Sequence, residues 1–514
     1  MAFLPSRLRP VLSGGRAARL WRDGTAVLVL LVVPVLRYAW PAFTGGALVM
    51  PGDDYDQNFP LRVLVGHQIR DGIIPLLDPF NWSGSPLLGG WNSGAAYPAT
   101  WLFAIMPANA AWVLGELLTY WVGGIGLYAF LRAQTVDGRA LRPLPALLGA
   151  ASFSVGGAFA IQVEHFGLAA GVSWIPLALL AIWKLSTSDR PLRWVLMLGA
   201  SGGMCVLAGE PRAVAIAAVV LAVYVGWRVV RQPAGRWRLV VLLAAGGFLA
   251  LLLSAVQWAP GMEVVADSQR DGGGYRLFGA GSMAFGQLPL ILQPMLLGGS
   301  GNGGYPAFLG GYSLTEIASY VGLLPLVAAG AFVRRWRRPL PEWVCWLGLA
   351  VLGVLLALGS STPLGHVWHL IPFYGGQRLQ SRNILITGLA LSVLLAYWAQ
   401  EWIDRPQLRR RLGMLVPLGG AVGLCIAGIV AGPRLVRGLG VPAESAAAAG
   451  DLRPVLIVFL VFAVACGALL VLASRLPRPV RAGAVAVLVT FDLTAFTLTV
   501  IQEGSGGDSG GSSE

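Results

Sequence analysis

Three carboxylates stand within four positions near the start of the chain, at Asp53, Asp54 and Asp56, and Gln57 follows them. Only 12% of the residues are charged, so an acidic cluster of this density is unusual in this chain. Carboxylates act as general bases, hold metal ions or accept hydrogen bonds from hydroxyl groups. A solvated loop that helps to orient the chain is the alternative, and the spacing alone leaves both interpretations open.

A second polar pair, Glu164 and His165, interrupts a long apolar region. It is either a polar cap between two helices or a second wall of a binding site. Metal chemistry is weakly indicated, because His366 and His369 have ligand spacing but no third ligand nearby. The four cysteines all lie in apolar stretches and are expected to be buried, unpaired side chains.

The composition predicts the elements that position these residues. The chain is 56% hydrophobic with a mean hydropathy of +0.69, and runs of about 20 apolar residues recur along it. We therefore expect an all-α polytopic membrane protein with about 13 transmembrane helices. The net charge of +13 comes from arginines spread over the short turns, which is the positive-inside pattern and argues against a nucleic-acid partner.

This pattern predicts a multi-pass protein of the bacterial plasma membrane, with its N-terminus cytoplasmic and its C-terminus outside. The expected division is a basic cytoplasmic N-terminus at 1–23, a transmembrane domain at 24–500 with outer loops at 44–98, 259–313, 360–382 and 432–453, and a flexible outer tail at 501–514. We expect one span at 314–333. The Gly/Ser-rich tail is typical of a linker, which suggests an outer domain beyond it.

The first outer loop is expected to hold an amphipathic helix at 60–70 that lies on the membrane surface. Leu61, Leu64 and Val65 would share its apolar face, and Arg62 and Arg70 its polar face.

Among the arginines on the predicted outer side, where topology does not require them, are Arg212, Arg378 and Arg382. A guanidinium binds phosphate oxygens bidentately, so a phosphate at the outer surface would explain them. Arg378 and Arg382 are four positions apart and would point the same way at the start of a helix. The alternative is that these side chains reach towards lipid headgroups.

Several stretches in order resemble the YfhO-like bacterial membrane proteins of the GT-C superfamily, which are polyprenyl-phosphate-sugar glycosyltransferases. The stretches are Gly52-Asp53-Asp54, Asp78-Pro79-Phe80, Asn92-Ser93-Gly94, Trp174-Ile175-Pro176, Gly209-Glu210-Pro211, Glu316, Tyr320-Val321-Gly322 and Ile371-Pro372-Phe373 with Arg378 and Arg382.

This resemblance implies transfer of a sugar from a polyprenyl-phosphate donor to a cell-envelope glycan or glycolipid on the outer face. The leaving phosphate needs little protonation, so one base suffices, and Asp53 or Asp54 is expected to be that base. Sugar and acceptor would contact Asp56, Gln57, Glu164 and His165, and the carrier phosphate would contact Arg378, Arg382 and Arg212. Whether a divalent metal takes part is left open.

The main alternative is a flippase or transporter of lipid-linked sugars. Such a protein is expected to carry polar residues along the middle of several spans. Here the polar residues gather in the predicted outer loops, which favours chemistry at the membrane surface.

Overall fold

The computed structural model describes the chain with gaps, over residues 15–39, 53–81, 83–136, 138–232, 235–267, 274–299, 307–310, 313–333, 340–406, 411–447 and 452–501. Parts of the predicted regions therefore lie outside the described residues: 1–14 of the N-terminus, 44–52 of the first outer loop, segments of the loops at 259–313 and 432–453, and 502–514 of the tail.

The described residues form an all-α protein with only two short β-hairpins. The helices are α1 Gly15–Pro34, α2 Phe59–Arg70, α3 Leu102–Ile105, α4 Ala108–Ala133, α5 Pro143–Ser154, α6 Gly157–Ala160, α7 Phe166–Ser173, α8 Ile175–Leu185, α9 Leu192–Leu207, α10 Pro211–Arg231, α11 Arg236–Ala266, α12 Gly274–Gly279, α13 Leu314–Ile317, α14 Leu323–Phe332, α15 Trp343–Leu358, α16 Leu364–His369, α17 Ile384–Asp404, α18 Arg411–Gly438, α19 Ala443–Ala446, α20 Arg453–Ala473 and α21 Arg478–Ile501. The hairpins pair β1 Leu77–Asp78 with β2 Ser85–Pro86 and β3 Thr135–Val136 with β4 Arg139–Ala140.

Nine helical segments in the described part are long and apolar enough to cross a membrane: Ala108–Ala133, Pro143–Ala160, Phe166–Leu185, Pro211–Arg231, Arg236–Ala266, Trp343–Ser361, Gln380–Asp404, Gly413–Gly438 and Arg453–Ala473. This confirms the predicted polytopic helical class. The most buried of these segments contains α17, which packs against α5, α14 and α15 at the centre of the molecule. By contrast, α11 leaves most of its apolar surface exposed, as expected for a lipid-facing helix.

Two expected boundaries differ from the observed helices. The first helix is already formed at Gly15, so the expected cytoplasmic segment 1–23 ends inside α1. The expected span at 314–333 is broken, because α13 ends at Ile317 and α14 begins only at Leu323.

A carboxylate from the last helix stabilises this break. Asp492 accepts hydrogen bonds from the Leu323 backbone N–H at 2.7 Å and from the Tyr320 hydroxyl at 2.5 Å. It therefore caps the free N–H groups at the start of α14. Gly322, between them, has φ 112°, a conformation that side chains other than glycine rarely adopt.

In the first outer loop, the predicted helix is confirmed as α2, which follows a π-helical turn at Asp54–Asn58. The predicted faces are partly wrong, because Arg62 is fully buried beside Val65. Its guanidinium carbon lies 4.2 Å from the centre of the Phe166 ring, and Nη1 donates to Thr100 Oγ1. The apolar periodicity did not reveal this, since a buried arginine requires partners from distant segments.

Candidate functional site

A cavity of about 700 Å³ opens where the ends of several helices meet. Its wall takes residues from the π-helical turn after Asp53, the loop before α7, the α9–α10 turn, the end of α11 and the segment 373–382. Six of the predicted site residues line it: Asp53, Gln57, His165, Arg212, Arg378 and Arg382. Residues far apart in the sequence are thus brought to one place.

The other three predicted site residues lie outside this wall. Asp54 is fully buried, Asp56 is exposed, and Glu164 is half-buried at the end of a short 3-10 helix. The binding roles expected for Asp56 and Glu164 stay predictions.

The two adjacent aspartates have different surroundings. Asp53 is exposed on the cavity wall. Asp54 points inwards, where its Oδ1 accepts hydrogen bonds from Asn58 Nδ2 at 2.6 Å and from the Phe166 backbone N–H at 3.3 Å. Burial raises the pKa of Asp54 to about 7, although these bonds and the charges of His165 and Arg62 act in the opposite direction. Of these two aspartates, Asp53 is therefore the one that a molecule in the cavity can reach.

Asp54 belongs to a buried charged cluster beneath the cavity, formed with Arg62 and Glu116. Burial lowers the pKa of the Arg62 guanidinium to about 10, against the opposing charges of Asp54, Tyr97 and Glu116. Arg62 Nε and Nη2 and both Glu116 oxygens have no hydrogen-bond partner among the described residues. Unpaired buried polar atoms of this kind are usually satisfied by internal water.

Glu316 organises the inner end of the cavity. Its Oε2 accepts from Arg382 Nε at 2.8 Å, and its Oε1 accepts from Arg382 Nη2 at 2.5 Å. The same Oε1 lies 3.3 Å from His165 Nε2. Burial alone would raise the pKa of Glu316, but hydrogen bonds and charges from Arg382 and His165 outweigh it and hold the pKa well below its usual range. Much of the hydrogen-bonding capacity of Arg382 is thus already used.

Arg212 has more hydrogen-bonding capacity left for an anion than Arg382 has. Its side chain is 2% exposed, and Nη2 donates to Gln380 Oε1 at 2.8 Å. Nε and Nη1 have no hydrogen-bond partner within the described part of the chain. Burying charged donors without acceptors costs about 1–3 kcal/mol each or more, so an anion that accepted from them would recover this free energy.

The expectation that Arg378 and Arg382 share a helical face is wrong. Leu379, between them, has φ 62°, and its N–H donates to the Ala280 carbonyl at 2.7 Å. This left-handed residue leaves Arg378 exposed at the cavity rim, whereas Arg382 is buried at the inner end. The two arginines therefore face different depths of the cavity.

Backbone strain is concentrated at this wall. Four described residues other than glycine have positive φ, and three of them line the cavity: Trp91, Phe373 and Leu379. Gly209, with φ 88°, forms the α9–α10 turn, where an added Cβ would lie 2.3 Å from the Trp91 carbonyl oxygen. Such conformations cost about 1–3 kcal/mol each and commonly cluster at functional sites.

His366 and His369, the pair with metal-ligand spacing, lie outside the cavity wall. The His366 ring stacks on Tyr275 with centroids 4.1 Å apart, and His369 Nδ1 lies 3.1 Å from the Gly375 carbonyl oxygen. In the described ranges, no group of three or more His, Cys, Asp or Glu residues is placed to hold a metal ion. The four cysteines are buried and unpaired, as expected.

Sequence reasoning gave no role to Glu316, Glu210 or Gln380. Glu210 lines the cavity and caps α10, where its Oε1 accepts from the Arg212 backbone N–H at 3.2 Å. The signal for Glu316 was present, since a carboxylate inside a predicted span is costly unless it has a partner. Gln380 had no signal, because its role depends on the distant Arg212.

The assembled wall combines an exposed carboxylate with arginines at two depths. A carboxylate can take a proton from a hydroxyl group, and guanidinium groups stabilise a phosphate. Met262, Val265 and Leu277 add an apolar side to the same cavity. The site is thus suited to a ligand that has a hydroxyl or sugar part, an anionic part and an apolar part.

Comparison with known sequences is negative: no family model matches the chain, and no curated protein matches it either. The YfhO-like resemblance therefore stays a prediction.

Solved structures with a similar chain trace include ArnT from Cupriavidus metallidurans bound to undecaprenyl phosphate, at 15% identity and TM-score 0.47, covering 96% of this chain and 78% of that one. Arabinofuranosyltransferase AftD from Mycobacteria follows at 14% identity and TM-score 0.45, covering 82% of this chain and 28% of that one. The Archaeoglobus fulgidus oligosaccharyltransferase AglB, in complex with an inhibitory peptide and a dolichol-phosphate, has 14% identity and TM-score 0.42, covering 83% of this chain and 56% of that one. At TM-scores below 0.5, this likeness assigns no role to any residue of this chain.

Proposed function

We propose that this protein is a GT-C-type membrane glycosyltransferase that transfers a sugar from a polyprenyl-phosphate donor to a glycan or glycolipid of the bacterial cell envelope. The reaction takes place on the outer face of the plasma membrane. The observation that carries the proposal is the cavity wall that joins Asp53 with Arg212, Arg378 and Arg382.

In the proposed reaction, the Asp53 carboxylate takes the proton of an acceptor hydroxyl. The hydroxyl oxygen forms a bond to the anomeric carbon, and the bond from that carbon to the phosphate oxygen breaks. Its electron pair stays on the phosphate, which leaves with one more negative charge than it had in the donor. Arg212 and Arg378 stabilise this charge, and the carrier phosphate needs no general acid.

The apolar side of the cavity supports a lipid-linked donor. Met262 and Val265 lie near the end of α11, which is the most lipid-exposed of the candidate spans. A polyprenyl chain can therefore extend from the cavity along α11 into the bilayer while its phosphate stays between the arginines.

The test uses the full chain in lipid vesicles with polyprenyl-phosphate sugars radiolabelled in the sugar and a glycolipid acceptor fraction from bacterial envelopes. We expect acceptor-dependent release of polyprenyl phosphate, and a loss of about 100-fold or more in the Asp53→Asn variant, because the general base is removed. Asp71→Asn is the matched control, since Asp71 is exposed at the far end of α2.

Two results would overturn the proposal. Full turnover in Asp53→Asn would show that this carboxylate is not the base. Movement of the labelled donor across the vesicle bilayer without sugar transfer would favour the flippase.

A further inference from the structure

The two buried arginines of the cavity wall are held by partners of different charge. Arg382 is paired with the Glu316 carboxylate through hydrogen bonds of 2.8 and 2.5 Å. Arg212 instead donates from Nη2 to the side-chain carbonyl of Gln380 at 2.8 Å, and this amide is neutral. Among the described residues, no carboxylate oxygen lies within 4.0 Å of the Arg212 guanidinium nitrogens. The partner of Arg382 therefore compensates its charge, whereas the partner of Arg212 does not.

The orientation of the Gln380 amide is set by two other contacts. Its Nε2 donates to the Gln377 carbonyl at 2.7 Å and to the Phe278 carbonyl at 3.3 Å. Rotating the amide would bring Oε1 against both carbonyl oxygens and lose both bonds. The backbone of α12 and of the segment after α16 thus keeps Oε1 facing Arg212, and Gln380 can only accept from it.

Two further donors meet at the same Gln380 oxygen. It accepts from the Tyr374 hydroxyl at 3.0 Å and from Asn383 Nδ2 at 3.2 Å. The centre of the Tyr374 ring lies 5.3 Å from the guanidinium carbon of Arg212. Both Gln380 and Asn383 are fully buried. Gln380 therefore ties Arg212, at the start of α10, to the segment after α16 and to the turn before α17.

We infer that Gln380 is the positioning residue of an anion site at Arg212: as a neutral acceptor it holds the guanidinium at the cavity wall and leaves its charge, with the Nε and Nη1 donors, to a phosphate. Gln380 does not line the cavity, so it acts through Arg212. The inference rests on the proposed function for the identity of this phosphate as that of the polyprenyl carrier. The link between Gln380 and Arg212 does not depend on it.

The other charges near Arg212 show why a neutral partner matters. Arg382 acts on the guanidinium as a like charge and Glu210 as an opposite charge. The Glu210 carboxylate accepts from the Arg212 backbone N–H and so is held at the start of α10, away from the guanidinium. Glu210 and Asp53 both line the cavity and would repel an anion there. A carboxylate in place of Gln380 would add to this repulsion and pair with Arg212 directly.

The test is titration of the full chain, in lipid vesicles, with polyprenyl phosphate. Gln380→Glu is nearly isosteric and places a carboxylate on Arg212, so affinity should fall about tenfold or more. Gln380→Met removes the acceptor without adding a charge, and affinity should fall by only about threefold. The difference between the two variants measures the effect of the partner's charge.

The matched control is Gln400→Glu, at the other end of α17. Gln400 is also a buried glutamine, and its amide accepts from the Arg142 backbone N–H at 2.7 Å and donates to the Ala140 carbonyl at 3.1 Å. It lies outside the cavity wall. Polyprenyl phosphate binding should therefore equal that of wild type, and thermal unfolding of all variants shows how much stability each substitution removes.

A double-mutant cycle separates positioning from a purely structural role. In the Arg212→Gln background, Gln380→Glu should lower affinity by less than about threefold, because the charge that it neutralises is already absent. If Gln380→Glu does not fold, Gln380→Met takes its place in the cycle. Its loss of about threefold should then disappear when Arg212 is replaced.

Unchanged polyprenyl phosphate binding in a folded Gln380→Glu variant would overturn the inference. So would equal losses with and without Arg212, or equal losses in Gln380→Glu and Gln380→Met. A wild-type chain that does not bind polyprenyl phosphate would overturn both the inference and the proposed function. A wild-type chain that binds it and shows the coupling, but transfers no sugar, would overturn the proposed function alone.

Discussion

At residue scale, Asp53 is exposed on the cavity wall, whereas its neighbour Asp54 is fully buried and bonded to Asn58 and the Phe166 backbone. The pKa of Asp54, raised to about 7 by burial, makes it a group that is partly protonated near neutral pH. Its bonds hold the turn that carries Asp53. We therefore assign Asp54 to positioning and expect Asp54→Asn to lower transfer less than tenfold.

Asp54 also gives a pH prediction. The pKa of Asp54 lies near the ordinary aspartate value of 3.8 in the unfolded chain and near 7 in the folded chain. The folded state therefore retains the proton after the unfolded state has lost it, so this group's contribution to stability is present below pH 4 and is lost between about pH 4 and 7. Asn cannot ionise, so the thermal midpoint of Asp54→Asn should rise relative to wild type over this range. A difference in thermal midpoint between Asp54→Asn and wild type that does not change with pH would contradict the pKa assigned to Asp54.

Arg212 carries the second prediction at this scale. Replacing it with Gln removes the charge and the two unpartnered donors, so affinity for polyprenyl phosphate should fall by about ten- to a hundredfold. Arg212→Lys should recover only part of it, because lysine lacks the planar fork. Binding is measured by titration, with Arg190→Gln, at an exposed arginine, as the control. Equal binding by Arg212→Gln and wild type would remove Arg212 from the phosphate site.

The sequence predicted that aspartates and arginines form the site. It did not predict which aspartate is accessible as a base or which arginine is free to bind phosphate. A cluster of carboxylates and arginines on the wrong side for topology indicated a base and a phosphate site. Burial separates Asp53 from Asp54, and the ion pair with Glu316 separates Arg382 from Arg212. Both depend on distant segments, 112 residues from Asp54 in the case of Phe166 and 66 residues from Arg382 in the case of Glu316, and local spacing does not report such contacts.

At element scale, the α9–α10 turn sets the position of Glu210 and Arg212. Gly209 makes this turn with φ 88°, directly against the Trp91 carbonyl. The apolar pattern predicted the spans on both sides of the turn. It missed the break between α13 and α14, because the cap on α14 comes from Asp492 in the last helix.

We expect Gly209→Ala to destabilise the protein by about 1–3 kcal/mol, because the added methyl group meets a backbone oxygen and the φ value disfavours alanine. Transfer activity should also fall, and by more than the loss of folded protein explains, since Glu210 and Arg212 move with the turn. The matched control is Gly226→Ala, five residues before the end of α10, where a Cβ meets nothing within 4 Å. That change should be neutral or stabilise by about 0.5–1 kcal/mol. Thermal unfolding of both variants checks this, and equal midpoints would contradict it.

At the scale of the whole molecule, the cavity forms where the π-helical turn before α2, the α9–α10 turn and the segment after α16 meet. The alternation of basic turns predicted that these segments share the outer side. The helical class follows from composition alone. The packing of α17 at the centre does not, because its apolar sequence resembles that of the lipid-facing helices and only its contacts with α5, α14 and α15 distinguish it.

The proposed reaction requires the cavity to face outwards, and this orientation can be measured. Asp71 ends the outer loop's helix α2, and Asp189 lies in the turn before α9; both are exposed. The proposed topology places Asp71 on the outer side with the cavity, and Asp189 on the cytoplasmic side. The native cysteines are buried, which keeps background labelling low. A membrane-impermeant maleimide should label Asp71→Cys in intact cells and Asp189→Cys only after the membrane is opened. The reverse pattern would place Asp53 in the cytoplasm, where the proposed outer-face transfer could not occur.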